Sequence, residues 1–279
     1  MEPQLEKISE IQKAAWNKSS PGWKKWDDMT MNFMRPTADE MIRMLKLNTD
    51  ATVLDVATGT GDPGLTMASM MKQGKVTGID LADEMLAVAR ENAMKRGIKN
   101  FETACCDICA MPFENETFDA ISCRFGFMFF PDMQLALKEM LRVLKPGGRI
   151  VASAWSIPEK NSWVCTSMET MIAMLQLTPP APGAPGLFRC AQPGCMTDLF
   201  GHAGLKNIRE QEVVSILPCG TLENYWSFIT EVASPAAFSK ADEAMKQRIK
   251  EEVLRKVNQK SFNGNITLDS SAIVIYGEK

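Results

Sequence analysis

Val53-Leu54-Asp55-Val56-Ala57-Thr58-Gly59-Thr60-Gly61-Asp62 is a short apolar, β-branched run that passes directly into a glycine-bearing turn. Such a run reads as a strand, and the helical pattern that follows makes the turn a strand-to-helix junction. Glycines at this junction let the backbone adopt positive φ and let a ligand come close to a helix N-terminus. Taken alone the turn leaves the ligand open. Gly59-Thr60-Gly61-Asp62-Pro63-Gly64 also fits the G-x-G-x-x-G spacing of dinucleotide sites, which keeps a nicotinamide-dependent oxidoreductase in view.

Similar runs recur at Lys75–Ile79, Asn100–Cys105, Phe118–Cys123 and Arg149–Ala154, separated by helical patterns such as Ala82–Arg96 and Met133–Leu144. Alternating strands and helices imply a parallel sheet, and nearly continuous apolarity in the strands implies helices on both faces. The expected fold class is therefore α/β, a doubly wound, mostly parallel sheet. Lys145-Pro146-Gly147-Gly148 is read as ending a helix and turning into the fifth strand. Beyond Trp155 the regularity breaks. A Pro/Gly-rich loop spans Thr178–Gly186, a short helix lies near Met196–Ala203, and a strand falls within Asn207–Leu217. Leu222–Gln259 is mainly helical with a break near Ser234-Pro235, and Ser271–Tyr276 forms a last strand. The expected organisation is an N-terminal helical lid over 1–48 and a main domain over 49–279. Cap insertions are expected at about 156–190 and 221–262.

Composition narrows the function classes. The 279 residues are 45% hydrophobic and 23% charged, as in an ordinary globular protein. The 31 basic and 34 acidic residues are dispersed, giving a formal charge of -3 and no basic stripe for nucleic acid. No stretch is long and apolar enough to span a membrane, and the N-terminus lacks the pattern of a secretory signal, so a cytoplasmic protein is expected. Eight cysteines then read as reduced thiols. Cys106 and Cys109 have the C-x-x-C spacing, but no second pair or histidine stands at the distance a zinc site needs, so no metal is expected. His202, the only histidine, sits at a helix end and leaves a hydrolase triad hard to assemble.

Three acids separate the candidate ligands: Asp55 within the first strand, Asp80 at the end of the second, and Asp107 after the third. With the glycine loop and the Leu144–Gly148 turn, they resemble the class I S-adenosylmethionine-dependent methyltransferases, and among these the ubiquinone/menaquinone-biosynthesis type and its small-molecule relatives. The resemblance covers roughly Thr49–Trp155 and implies a seven-stranded Rossmann-like sheet with an N-terminal helical segment and a helical cap. It also implies S-adenosylmethionine as cofactor and a small-molecule acceptor. By the same resemblance, Asp80 holds the ribose hydroxyls, and Leu81 and Met85 cover the adenine. Asp107, with the Ile108 backbone, takes the adenine amino group. Gly59, Gly61 and the neighbouring Thr58 let the chain pass the methionine portion, and Asp55 orders the loop or contacts the ammonium through water. Ala57 replaces the family's usual first glycine. Arg35 and Arg124 are the candidates for the cofactor carboxylate, and no catalytic residue is assigned.

Trp16, Trp23, Trp26, Trp155 and Trp163 can either wall an acceptor cleft or anchor a core, and Phe127-Met128-Phe129-Phe130 would suit an apolar acceptor. Acceptor choice is expected in Trp155–Pro185 and Leu222–Gln259, with Trp226 and Phe228 as contacts. A protein that binds S-adenosylmethionine without turnover stays open, as does a homodimer.

Overall fold

The computed structural model describes residues 3–178, 181, 183–233, 238, 239, 241–262, 265, 266 and 268–279. Two helices precede the sheet, α1 (Pro3–Lys25) and α2 (Asp27–Leu45). The alternating region then runs β1 (Thr52–Val56), α3 (Gly64–Met70), β2 (Lys75–Asp80), α4 (Asp83–Lys95), β3 (Phe101–Cys105), β4 (Phe118–Arg124), α5 (Met133–Val143) and β5 (Leu144–Trp155). Beyond it lie α6 (Ser162–Leu175), α7 (Cys195–His202), β6 (Lys206–Leu217), α8 (Leu222–Phe228) and a π-helical turn (Ile229–Ala233). The chain closes with α9 (Glu243–Asn258), a two-residue hairpin of β7 (Ser261–Phe262) and β8 (Asn265–Ile266), and β9 (Leu268–Glu278).

The seven strands lie in the order β3-β2-β1-β4-β5-β9-β6, with β1 to β5 parallel and β9 antiparallel to both of its neighbours. The expected doubly wound sheet is present. Its strands are apolar on both faces because successive side chains point to opposite sides. Leu54, Ile150 and Ile275 enter the core shared with α5 and α6, while their neighbours Val53, Val151 and Val274 enter a second core with Met41 and Leu45 of α2.

Local chemistry accounts for the element ends. Asp132 caps α5 by accepting from Gln134 N and Leu135 N at 2.8 and 3.0 Å. Asp83 and Glu84 place negative charge in the first turn of α4. One boundary differs from the sequence expectation. Lys145–Gly148 does not precede the fifth strand but bulges within it: Leu144 pairs with Phe118, and pairing resumes at Arg149 opposite Ala120. The last strand likewise exceeds Ser271–Tyr276, because it is held on both sides by β5 and β6.

α6, α8 and α9 pack together beyond the fifth strand, in the region expected to form the cap. The expected break at Ser234-Pro235 and Pro179, Pro180 and Pro182 of the Pro/Gly-rich loop lie outside the described residues. Among the described residues no helix is long and apolar enough to cross a membrane.

Candidate active site

A cavity of about 370 Å³ opens at the carboxyl ends of the parallel strands, where ligands of open α/β sheets bind. Strand order spreads its lining into two regions. The β1–β3 side carries the glycine loop, Asp80, Leu81, Met85, Asp107 and Ile108. The β4–β5 side carries Phe125 and Trp155, which are joined by Trp163 of α6 and Phe228 of α8. Helix α1 contributes Ser9, Gln12, Trp16, Ser19 and Trp23. Their spacing of three and four residues forms one face of a helix, so the N-terminal segment does reach the cavity.

Asp55 does not line the cavity. Its fully buried carboxylate supports the loop from beneath, accepting from Ser122 Oγ at 2.5 Å, Thr58 Oγ1 at 2.6 Å and Gly64 N at 3.1 Å. Burial pushes its pKa up to about 6, against the opposing pull of the Ser122 and Thr58 hydrogen bonds and of the Arg124 charge. Gly61 is also absent from the lining. A side chain there would meet Leu65 Cδ1 at 2.6 Å, so this glycine serves helix packing rather than ligand approach. Gly59 does line the cavity, at φ 55°.

Ala57 has φ 53°, a left-handed conformation that costs a residue with a Cβ roughly 1–2 kcal/mol. Its methyl group fits because Gly126 faces it: a Cβ at position 126 would lie 2.9 Å away. Replacing Ala57 by glycine should stabilise the fold by about 1 kcal/mol, the relief of strain exceeding the added freedom of the unfolded chain. Thermal unfolding checks this, and an unchanged or lower melting temperature would contradict the strain assignment.

Asp80 ends β2 with each oxygen accepting one backbone amide, Oδ2 from Gly59 at 3.0 Å and Oδ1 from Ala82 at 2.9 Å. Burial raises its pKa, against the hydrogen bonds from the Ala82 and Gly59 amides. Asp107 accepts from Cys109 N at 2.8 Å and from Ser9 Oγ of α1 at 2.7 Å. Cys106 lines the cavity, whereas Cys109 is buried outside its lining. Burial pushes both thiols up to about 12, which keeps them protonated.

The two arginine candidates separate cleanly. Arg35 is exposed and outside the cavity, because the buried face of α2 runs through Phe33, Met34, Thr37, Ala38 and Met41 and turns position 35 to solvent. Arg124 lines the cavity with its Nη1 buried and, among the described residues, without a hydrogen-bond partner. Its Nη2 donates to Met31 Sδ at 3.7 Å. Burial lowers its pKa, opposed by the charges of Asp62, Asp55 and Asp27.

Among the described residues, the buried side-chain atoms without a hydrogen-bond partner are Trp23 Nε1, Thr60 Oγ1 and Arg124 Nη1 on cavity-lining residues, and Asp27 Oδ1, Thr30 Oγ1 and Arg189 Nε on residues outside the lining. Thr60 stands beside the Asp27 carboxylate without reaching hydrogen-bond geometry, and Asn92 Nδ2 ties the two together through Asp27 Oδ2 at 3.2 Å and Thr60 O at 3.0 Å. A buried polar atom left unpaired costs about 1–3 kcal/mol. Those at the cavity suit a ligand with the complementary group, an acceptor anion for Arg124 and Trp23.

Phe125 carries no signal in the sequence. Its φ of 58° is held by two hydrogen bonds from its N–H, to Ser153 O at 3.1 Å and Ser153 Oγ at 3.2 Å, and its ring stacks 4.0 Å from Trp155. Strained backbone of this kind marks a position fixed by its surroundings. Here it turns Arg124 and Phe125, consecutive in sequence, into the same cavity. Trp16, Trp23, Trp155 and Trp163 line the cavity, and Trp26 does not: its Nε1 donates to Glu231 Oε2 at 2.9 Å. Phe129 and Phe130 line it too, whereas Phe127 and Met128 are fully buried. Of the two expected cap contacts, Phe228 reaches the cavity. Trp226, two residues earlier and about 200° around the helix, packs instead against Phe238 at 5.1 Å. His202 is exposed on α7 and lies outside the cavity.

The model of the ubiE/COQ5 methyltransferase family matches residues 22–170, a little over half of the chain. The demethylmenaquinone methyltransferase of Thermus thermophilus is 43% identical over 112 residues, covering 40% of this chain and 50% of that protein. The enzyme of the same name from Bacillus subtilis is 34% identical over 137 residues, covering 49% and 54%. The chain thus aligns with about half the length of these curated relatives. A solved S-adenosylmethionine-dependent methyltransferase from Aquifex aeolicus is similar in fold, with a TM-score of 0.55 and 24% identity over 70% of this chain and 92% of that one.

Proposed function

Because the chain belongs to the ubiE/COQ5 methyltransferase family, we propose that it transfers the methyl group of S-adenosylmethionine to a small, apolar aromatic acceptor. The observation that carries this reading is a pair of buried donors at the cavity, Arg124 Nη1 and Trp23 Nε1, without hydrogen-bond partners among the described residues. They complement the carboxylate at the amino-acid end of S-adenosylmethionine. A nicotinamide dinucleotide would bring a doubly charged pyrophosphate there, which Asp62, lining the cavity within reach of the Arg124 charge, would repel more strongly than a single carboxylate. Asp80 is then placed for the ribose, Leu81 and Met85 for the adenine faces, and Asp107 for its amino group.

The methyl group would point toward Phe125, Trp155, Trp163 and Phe228. When bound, S-adenosylmethionine would supply an electrophilic methyl group: the acceptor's electron pair would bond to the methyl carbon as the C–S pair returns to sulfur, and the acceptor's proton would leave to solvent, giving S-adenosylhomocysteine. The sulfonium charge disperses as this occurs, so an apolar enclosure that aligns the two reactants accelerates transfer through orientation. The names of the relatives make a demethylated quinone of the menaquinone type, in its reduced form, the first acceptor to try.

Incorporation of label from methyl-labelled S-adenosylmethionine into such acceptors tests the reading, and binding without incorporation would leave a non-catalytic protein. Phe228→Ala should raise the acceptor's KM or lower kcat by about tenfold with cofactor affinity nearly unchanged, since a ring face on the acceptor alone is lost. Trp226→Ala should act through stability only. Equal kinetic effects of both would remove Phe228 from the acceptor side.

A further inference from the structure

Helix α1 lies across the β1–β3 side of the cavity, and its first half is lightly anchored. Leu5 and Ile8 are only half-buried, Ile11 is 57% exposed, and Ser9 beside them is 6% exposed. A serine more buried than its apolar neighbours points to a polar purpose. Its hydroxyl donates to Asp107 Oδ2 at 2.7 Å, a bond that joins residues 98 apart in sequence. Asp107 Oδ1 is held independently by Cys109 N. The two donors grip opposite oxygens and fix the carboxylate's plane, while each oxygen keeps a lone pair for a further donor.

We propose that Ser9 is a positioning residue for base recognition. It aims Asp107 at the amino group of the adenine and makes closure of α1 part of the same hydrogen-bonded unit. This rests on the S-adenosylmethionine reading above. The Ser9–Asp107 bond keeps the helix over the site, and a bound adenine would add a third donor to the same carboxylate. The N-terminal helix thereby takes part in selecting the cofactor.

Calorimetry with S-adenosylhomocysteine and S-inosylhomocysteine, which carries a carbonyl where adenine has its amino group, tests the proposal. The wild-type protein should prefer the adenine compound. Ser9→Ala should cut that preference by about fivefold, the loss of one hydrogen bond to a charged partner seen indirectly. Ser9→Thr keeps the hydroxyl and should keep the preference even if its extra methyl group lowers both affinities. A preference unchanged in Ser9→Ala, or equally lost in Ser9→Thr, overturns the role of Ser9, as does a wild-type protein that binds both compounds equally. A wild-type protein that binds neither compound overturns the cofactor reading instead.

Discussion

Arg124→Met should raise the dissociation constant for S-adenosylhomocysteine by roughly 10- to 100-fold, the equivalent of about 1.5–3 kcal/mol for hydrogen bonds between charged partners. The reason is where the guanidinium stands. At the end of β4, it is balanced through space by Asp62, Asp55 and Asp27, yet its buried Nη1 has no hydrogen-bond partner among the described residues. A ligand carboxylate would supply that partner in the paired geometry arginine favours. Methionine fills much of the same volume but leaves Asp62, Asp55 and Asp27 without their balancing cation, so a lower melting temperature is expected beside the loss of affinity. The contrast between two ligands on the same folded variant therefore carries the test. Methylthioadenosine, which has the adenosine and sulfur but no amino-acid end, should bind wild type and variant alike. Equal weakening of both ligands would mean that Arg124 acts on the cavity's shape and not on a carboxylate.

Asp80→Ala should weaken the same ligand by tenfold or more. Two ribose hydroxyls would lose a charged acceptor, and Gly59 N and Ala82 N would lose the bonds that hold the loop and the start of α4 against β2. Asp80→Asn separates the two roles. One amide oxygen can still accept from a backbone N–H, so the loop is largely kept, but the amide nitrogen faces a donor and the paired ribose contact is broken. Both variants should lose affinity for methylthioadenosine as well, in contrast to Arg124→Met, because the ribose is common to both ligands. Unchanged affinity in a folded Asp80→Ala protein would remove Asp80 from the site.

The parts of the site that follow directly from strand ends were legible in the sequence. Asp80, Asp107 and Arg124 each stand at or just beyond the last residue of an apolar run, and parallel strands bring such positions to one edge. Gly61 and Arg35 fall outside the cavity for local reasons. One glycine of the turn makes room for Leu65 rather than for a ligand, and the helical phase of α2 faces position 35 outward. The contributions of Ser9 and Trp23 were not legible as a group, because they depend on how α1, which precedes the sheet, lies across it. Only the three- and four-residue spacing of Ser9, Gln12, Trp16, Ser19 and Trp23 could have signalled that face. Phe125 gave no signal at all, since its left-handed backbone arises from Ser153 on the neighbouring strand.

Titration calorimetry of the wild-type protein with S-adenosylmethionine, methylthioadenosine and NAD, at one temperature and buffer, tests the central claim most directly. Saturable one-to-one binding of S-adenosylmethionine is expected, with binding of methylthioadenosine weaker by roughly tenfold or more for want of the Arg124 contact, and no binding of NAD. Binding of NAD, or equal affinity for S-adenosylmethionine and methylthioadenosine, would contradict it.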